Sequence, residues 1–307
     1  MKPEEWWKNF ALGVEVDISG TFIYNGIKRL DELDGLSNPA DIFEILYSLS
    51  VGIERLLKVA IVLIEHDNQL DMEKFEKSLI SHDVMGLAHR VTEFHNLGLS
   101  NVHNEFLSLL SKFYKTHRYG RFSLGSIPNI KSERDAFLQY LEKHLKIEVP
   151  HSDSFIPVYN SDKIRKFIGK VVCKIAKNVF NVISKQARTL NIYTNELRGD
   201  SKAIQVFYAE RLDFIDERIK KKELLLFLMH PKSSGGHIDL VRSFEPLDLE
   251  PDMTSSYMKA LINDSHLHDI EGEIDELYFE IKDVGKRIEL IEIIDSEYLS
   301  YGENEEP

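Results

Sequence analysis

The segment from Lys163 to Asn195 carries eight cationic side chains and no acidic residue, although the chain of 307 residues has a formal net charge of -13. Most of these cations are three or four residues apart, so in a helix they would form one stripe opposite an apolar stripe. The cations are Lys163, Arg165, Lys166, Lys170, Lys174, Lys177, Lys185 and Arg188, and the apolar positions are Ile164, Phe167, Ile168, Val171, Ile175, Val179 and Ile183. A basic helix in an acidic protein needs an anionic partner, which can be a nucleic acid, a phosphate ligand, a membrane surface or another part of the chain. The candidate nucleic-acid contacts in this helix are Lys166, Lys170, Lys174 and Lys177.

A second basic cluster alternates with aromatic residues. It consists of Lys115, His117, Arg118 and Arg121, interleaved with Tyr114, Tyr119 and Phe122. Aromatic and basic side chains together suit stacking on a base and binding of a phosphate, which makes Arg118 and Arg121 further candidates for nucleic-acid binding. The alternative is an ordinary helix C-terminus, where cations complement the helix dipole.

Other residue types that bind metals or phosphates do not form a convincing site in the sequence. The single cysteine, Cys173, lies among apolar residues and is expected to be a buried, inert thiol. His266 and His268 have a metal-like spacing but are expected to cap a helix, and the turn from Ser233 to His237 lacks the Gly-Lys-Ser/Thr ending of a phosphate-binding loop. We therefore expect neither a metal nor a cofactor.

Composition predicts an ordinary globular protein of the cytoplasm. Hydrophobic residues make up 43% and charged residues 29% of the chain. The first ten residues lack the apolar core of a signal peptide, and the longest apolar run, Val59 to Ile64, is too short to cross a bilayer. We expect no membrane partner.

Helical periodicity dominates the chain and predicts an all-α fold, a helical bundle extended by further helices. The clearest helix start is Asn38-Pro39, followed by apolar residues at helical spacing from Ile42 to Ala60. The two apolar runs within residues 224–244 flank a Pro- and Gly-containing turn and predict one possible small β-hairpin.

Charge and turn signals divide the chain into four parts. We expect a helical domain at 1–147, a basic helical extension at 148–222, an acidic helical region at 223–297 and a disordered tail at 298–307. Residues 162–222 contain 15 cations and seven acids, whereas residues 245–307 contain four cations and 19 acids. Glu273, Glu276, Glu280 and Asp283 form an acidic stripe that is a possible intramolecular partner of the basic helix.

Three segments of the first 125 residues resemble the HEPN family of small helical domains. SVGIERLLKV at 50–59 resembles the family's S-x-E-x-x-L-K-A-L-L helix, and KSLISHDVMGL at 77–87 is similar to its K-T-H-D-L-x-x-L segment. Tyr114, Arg118 and Tyr119 are similar to its Y-x-x-x-R-Y motif near the final helix. The resemblance implies an all-helical fold, a role in bacterial defence or toxin–antitoxin systems, and a homodimer.

Many HEPN proteins are metal-independent endoribonucleases that use an R-x4–6-H motif. Histidine can transfer protons near neutral pH, and arginine can stabilise the phosphate during attack by the 2′-hydroxyl. In this chain only Arg90 and His95 meet that spacing, with Val91 where the family has a polar residue, whereas no histidine follows Arg118 at the required distance. The catalytic candidates are therefore Arg90 and His95, which have the spacing, and Arg118, which stands at the position that resembles the family's final motif.

Three functions remain open from the sequence. The preferred one is non-catalytic interaction of a HEPN-like protein with RNA or a nucleotide, in bacterial defence or stress response. The second is a metal-independent endoribonuclease with a displaced active site. The third is a structural or interaction protein whose basic and acidic helices pair with each other.

Overall fold

The computed structural model describes residues 2–66, 71–117, 132–147, 158–263 and 268–294. These residues form helices joined by turns, and the only β-type pairing among them is one isolated bridge between Gly35 and Tyr159. The predicted all-α fold is confirmed. The chain separates into two compact units, Met1–Phe214 and Ile215–Pro307.

The first unit contains nine α-helices within the described residues. They are α1 (Pro3–Trp6), α2 (Leu12–Glu32), α3 (Pro39–Glu65), α4 (Met72–Leu79), α5 (Val84–Thr92), α6 (Asn101–Lys112), α7 (Ser132–Leu145), α8 (Asp162–Leu190) and α9 (Lys202–Tyr208). Two π-helical turns, Trp7–Ala11 and Phe113–His117, follow α1 and α6.

The second unit contains five α-helices within the described residues. They are α10 (Ile215–Met229), α11 (Gly236–Arg242), α12 (Thr254–Asn263), α13 (His268–Glu280) and α14 (Val284–Ile291), with a 3₁₀ turn at Pro251–Met253. The predicted β-hairpin near 224–244 is wrong, because its two apolar runs belong to α10 and α11. The first run continues the helix that begins at Ile215, and the turn between the runs is longer than the two-residue turns that hairpins favour.

Helix α3 is the centre of the first unit and packs against α2, α5 and α8. It begins as the sequence predicts: Pro39 occupies the first turn, and the Asn38 side chain accepts a hydrogen bond from the Ala40 amide at 3.0 Å. Its second half is apolar on most of its circumference, which is typical of a buried helix. At Gly52 an added Cβ would lie 2.8 Å from the Ser19 carbonyl oxygen of α2, so the absence of a side chain lets these two helices approach closely.

The basic segment forms the single long helix α8. It begins at the predicted Ser161-Asp162 and ends at Asn191, which has a left-handed φ of 55°. Its predicted apolar stripe faces the core: the six aliphatic residues of that stripe are buried, and Phe167 is half-buried. Burial of this face directs the opposite, cationic face of α8 outward.

Candidate nucleic-acid interface

Five cations lie exposed along the outer face of α8. We call this set the cation row; it consists of Lys166, Lys170, Lys174, Lys185 and Arg188. At 100° and 1.5 Å per residue they keep to about one third of the helix circumference and extend over about 33 Å. Among the described residues of the first unit, no ion pair or hydrogen bond engages these five side chains. No described carboxylate of the first unit therefore neutralises the row, although the whole chain has a net charge of -13.

The other three cations of the segment have partners inside the first unit. Lys163 donates a hydrogen bond to the Leu145 carbonyl at 3.1 Å. Arg165 lies off the row and donates to the Leu33 carbonyl at 2.8 Å. Lys177, which the sequence suggests as a nucleic-acid contact, donates to the Ala209 carbonyl at 2.7 Å and so ties the end of α9 to α8.

A groove of about 500 Å³ runs between α8 and α9, and we call it the α8–α9 groove. Its lining residues are Lys177, Phe180, Asn181, Ser184, Lys185, Arg188 and Thr189 of α8 with Phe207 and Tyr208 of α9. Phe180 and Phe207 stack at 4.5 Å, and Tyr208 meets Phe180 edge-on at 5.5 Å. The groove thus combines three cations with aromatic rings, and no carboxylate lies in its lining.

A second groove, of about 370 Å³, separates α8 from the loop that follows α5, and we call it the loop groove. The loop contributes residues 95–98, and α8 contributes Asn178, Asn181, Val182 and Lys185. Asn178 donates a hydrogen bond to the Leu97 carbonyl at 2.6 Å, and Gly98 has φ 57°, which glycine adopts without steric cost. Asn181 and Lys185 line both grooves, so the two form one continuous outer surface with the cation row.

His103 lies beside this surface at the start of α6. Its ring nitrogen Nδ1 accepts a hydrogen bond from the Ser100 amide at 3.2 Å, so it acts as the reciprocal partner in a capping box. Burial lowers the pKa of His103 below its ordinary value, and the nearby charge of Lys174 lowers it further. Both effects favour the neutral form of the His103 ring.

Replacing Lys174 with methionine is expected to raise the pKa of His103 toward its ordinary value, because the variant removes a positive charge that disfavours the protonated ring. NMR titration of the His103 ring measures the effect. The Lys170→Met variant, which removes a charge of the same row, should leave this pKa where it is. An equal pKa in wild type and Lys174→Met would show that the row is not electrostatically coupled to α6.

The structure gives the catalytic candidates Arg90 and His95 separate partners. The Arg90 guanidinium forms a two-pronged ion pair with the Glu65 carboxylate of α3, with nitrogen–oxygen distances of 2.7 and 2.5 Å. This hydrogen bonding raises the pKa of Arg90. The His95 Nε2 lies 2.6 Å from the side-chain amide nitrogen of Gln186. When the amide donates this hydrogen bond, Nε2 is the acceptor and the ring proton of His95 lies on Nδ1. No hydrogen bond joins the two side chains, which have different partners.

The third catalytic candidate, Arg118, lies outside the described residues, as do Tyr119, Arg121 and Phe122 of the second basic cluster. The adjoining residues of that cluster lie within the first unit. Lys115 pairs with Asp83, with its Nζ 2.5 Å from the carboxylate, and the buried Tyr114 ring packs on His82 at 4.6 Å. These contacts join the end of α6 to the start of α5.

Cys173 is buried on α8, as predicted, and burial raises the pKa of its thiol. A thiol with a raised pKa is a poor nucleophile. Among the described residues, no group of three or more His, Cys, Asp or Glu side chains is arranged to hold a metal ion. In those same ranges of the chain, no helix is long and apolar enough to cross a membrane.

Several residues of the interface were not singled out from the sequence. The packing of α9 and of the loop after α5 against α8 makes Tyr208 and Asn181 part of the groove lining and brings Gln186 to His95. Asn181 and Ser184 could have been found, because they fall on the same helical stripe as the cations. Tyr208 follows a buried phenylalanine in a short helix, and nothing in its neighbourhood distinguishes it from a core residue.

The fold and the site together define an all-α protein with an exposed basic helix face bordered by two grooves. No protein-family model matches this chain, and neither does any curated protein or solved structure.

Proposed function

We propose that this protein binds RNA along the cation row of α8 without cleaving it. The observation that carries the proposal is the exposure of five cations on one helix face that no described carboxylate of the first unit neutralises. Phosphates along a nucleic-acid backbone provide the regularly spaced negative charges that such a face attracts. The remaining residues on this face, such as Asn181 and Ser184, are polar and can donate further hydrogen bonds to phosphate or sugar.

The length of the row favours a polymer over a single small anion. Its ends, Lys166 and Arg188, are separated by about 33 Å along the helix axis, which exceeds the reach of one phosphate or one nucleotide. A membrane surface is less suitable, because peripheral helices insert an apolar face into the lipid. The apolar face of α8 is buried in the core of the first unit and is not available for insertion.

The partners of the two catalytic candidates support binding without cleavage. Arg90 is engaged by Glu65, and it also donates to the Ser78 hydroxyl at 3.2 Å. An arginine held in this way is a connector between α3, α4 and α5 and is poorly placed to meet a phosphate. His95 lines the loop groove, where it can contact a bound strand, and the lining of that groove contains no arginine.

The resemblance to HEPN domains supports RNA as the nucleic acid, because many members of that family act on RNA. The same resemblance is the basis for placing the protein in bacterial defence or stress response and for expecting a homodimer. Glu54, the acidic residue of the matched helix, is buried in α3 and lies 2.6 Å from Lys58 Nζ and 3.1 Å from His82. This network is consistent with a structural role for the first two matched segments.

The test neutralises three cations of the row at once by changing Lys170, Lys174 and Lys185 to glutamine. We expect the affinity for a mixed-sequence RNA of about 20 nucleotides to fall at least about tenfold at physiological salt, because three phosphate contacts are lost. The slope of log affinity against log salt should decrease in magnitude by about 2, since each neutralised phosphate of a single strand contributes about 0.7. Fluorescence anisotropy titrations at several salt concentrations measure both quantities.

The matched control changes Lys220, Lys222 and Lys232 to glutamine. These three lysines are exposed in the second unit, so the control removes the same net charge from residues outside the first unit. Wild-type affinity in the control together with a loss in the row variant supports the proposal. An absence of RNA binding by the wild-type protein, or an equal loss in both variants, contradicts it.

A further inference from the structure

The α8–α9 groove has chemically different ends. At one end the Tyr208 ring is 58% exposed and rests edge-on against Phe180, while the buried Phe180 and Phe207 rings form an apolar floor. At the other end Lys185 and Arg188 bring two exposed cations to the lining. Asn181, Ser184 and Thr189 supply polar side chains in this lining. From Phe180 to Arg188 the groove extends along about 12 Å of helix.

The aromatic end is held in place by the contacts of α9. Ala209, the residue after Tyr208, accepts a hydrogen bond from Lys177 through its carbonyl. Phe207, the residue before Tyr208, is buried and stacks on Phe180. A ring fixed in this way loses little conformational freedom when a flat ligand stacks on it. Exposed tyrosine rings in basic grooves are the usual platforms for unpaired bases.

The groove also has the size and charge of a ligand site. Its volume of about 500 Å³ lies within the range of about 300–1,000 Å³ that is typical of small-molecule sites. Its lining includes three cations and no carboxylate, so an anionic ligand is favoured over a neutral or cationic one. The aromatic ring and the pair of cations line the same groove, so one nucleotide laid along it can place its base on the ring and its phosphate near a long cationic side chain.

We infer that the α8–α9 groove holds one unpaired nucleotide of the bound strand, with its base on the Tyr208 ring and its phosphate beside Lys185 and Arg188. The inference rests on the proposed RNA binding and specifies its substrate class. A base within a duplex is stacked on both faces and paired along its Watson–Crick edge, so it cannot enter the groove. The protein therefore prefers single-stranded RNA to a duplex of the same sequence.

The test compares Tyr208→Ala, which removes the aromatic ring, with Tyr208→Phe, which keeps it. We expect Tyr208→Ala to weaken binding of single-stranded RNA by about tenfold, in line with the loss of one base–aromatic stack. Tyr208→Phe should bind within about twofold of wild type, because phenylalanine retains the ring face. Binding of the fully paired duplex should be equal in all three proteins. Circular dichroism checks that each variant is folded, which is expected because Tyr208 is exposed.

The outcomes separate this inference from the proposed function. If the triple glutamine variant of the row loses affinity for single-stranded RNA while Tyr208→Ala retains it, the inference is overturned and the proposed function stands. If the alanine variant loses duplex and single-strand binding equally, Tyr208 does not hold an unpaired base and the inference is likewise overturned. If the wild-type protein binds neither RNA, the proposed function itself is contradicted.

Discussion

The Gly20→Ala variant is expected to be less stable than wild type by about 3 kcal/mol, at the upper end of the cost of adding one carbon to a packed interface. Gly20 lies on α2 where this helix crosses α9. A Cβ added there would lie 2.5 Å from the Ala203 Cα and would overlap the Ala203 Cβ. Neither atom belongs to a flexible side chain, so the added carbon can be accommodated only if α9 moves away from α2.

A second glycine of the same helix provides the control. An added Cβ at Gly13 would meet only the Thr194 carbonyl oxygen, at an ordinary contact distance of 3.8 Å. Gly13→Ala is therefore expected to raise the free energy of unfolding by about 0.5–1 kcal/mol, since alanine favours the helix and reduces the entropy of the unfolded chain. Urea titrations followed by far-UV circular dichroism measure both variants, and the prediction requires their effects to have opposite signs. Stabilisation by alanine at both positions would show that α2 and α9 are not in close contact.

The position of Gly20 also matters for the candidate RNA interface. Helix α9 carries Phe207 and Tyr208, so any movement of α9 away from α2 displaces one wall of the α8–α9 groove. The loss of stability in Gly20→Ala should therefore be accompanied by weaker binding of single-stranded RNA per folded molecule. The Gly13→Ala variant should retain wild-type affinity.

The sequence predicted the elements whose signals are local. Asn38 and Pro39 mark the start of α3 because capping and proline geometry depend on neighbouring residues alone, and the buried stripe of α8 follows from its helical period. The hairpin prediction failed because short apolar runs occur in both strands and helices, and only their continuity with Ile215 decides between them.

The site was predictable only in part, for a related reason. Spacing placed the cations on one face, but it could not show which of them form hydrogen bonds to other parts of the protein. Lys177 binds the Ala209 carbonyl, a group that is 32 residues away in sequence, and Arg165 reaches the Leu33 carbonyl across 132 residues. Such contacts depend on tertiary packing, as does the meeting of Tyr208 with Phe180 that forms the aromatic end of the groove.

The second large effect is expected at Arg90, the residue that sequence spacing offers as a catalytic group. We expect Arg90→Ala to lower the free energy of unfolding by about 2–3 kcal/mol, because it leaves the Glu65 carboxylate without its cation. This value lies below the about 3–5 kcal/mol that is typical of breaking fully buried ion pairs, because the two side chains remain 25% and 20% exposed. Arg90 also packs on the Phe75 ring, with its guanidinium carbon 5.9 Å from the ring centre, so α4 loses a contact as well.

A double-mutant cycle with Glu65→Gln separates the ion pair from the other contacts of Arg90. If the pair dominates, the Arg90→Ala change costs much less in the Glu65→Gln background than in wild type. Arg198→Ala is the surface control: Arg198 and Asp200 form a pair of similar geometry but are 81% and 70% exposed, so its loss should leave stability unchanged within error.

RNA binding by the same variants decides whether Arg90 has a second role. A connector between α3, α4 and α5 affects affinity only through the fraction of folded protein, so Arg90→Ala should bind RNA like wild type under conditions where both are fully folded. Two results would support a role of Arg90 in an active site. One is weaker RNA binding by a folded Arg90→Ala protein. The other is metal-independent RNA cleavage by the wild-type protein that this variant lacks. The two-pronged pair with Glu65 predicts neither result, because it already occupies the donors that a phosphate would need.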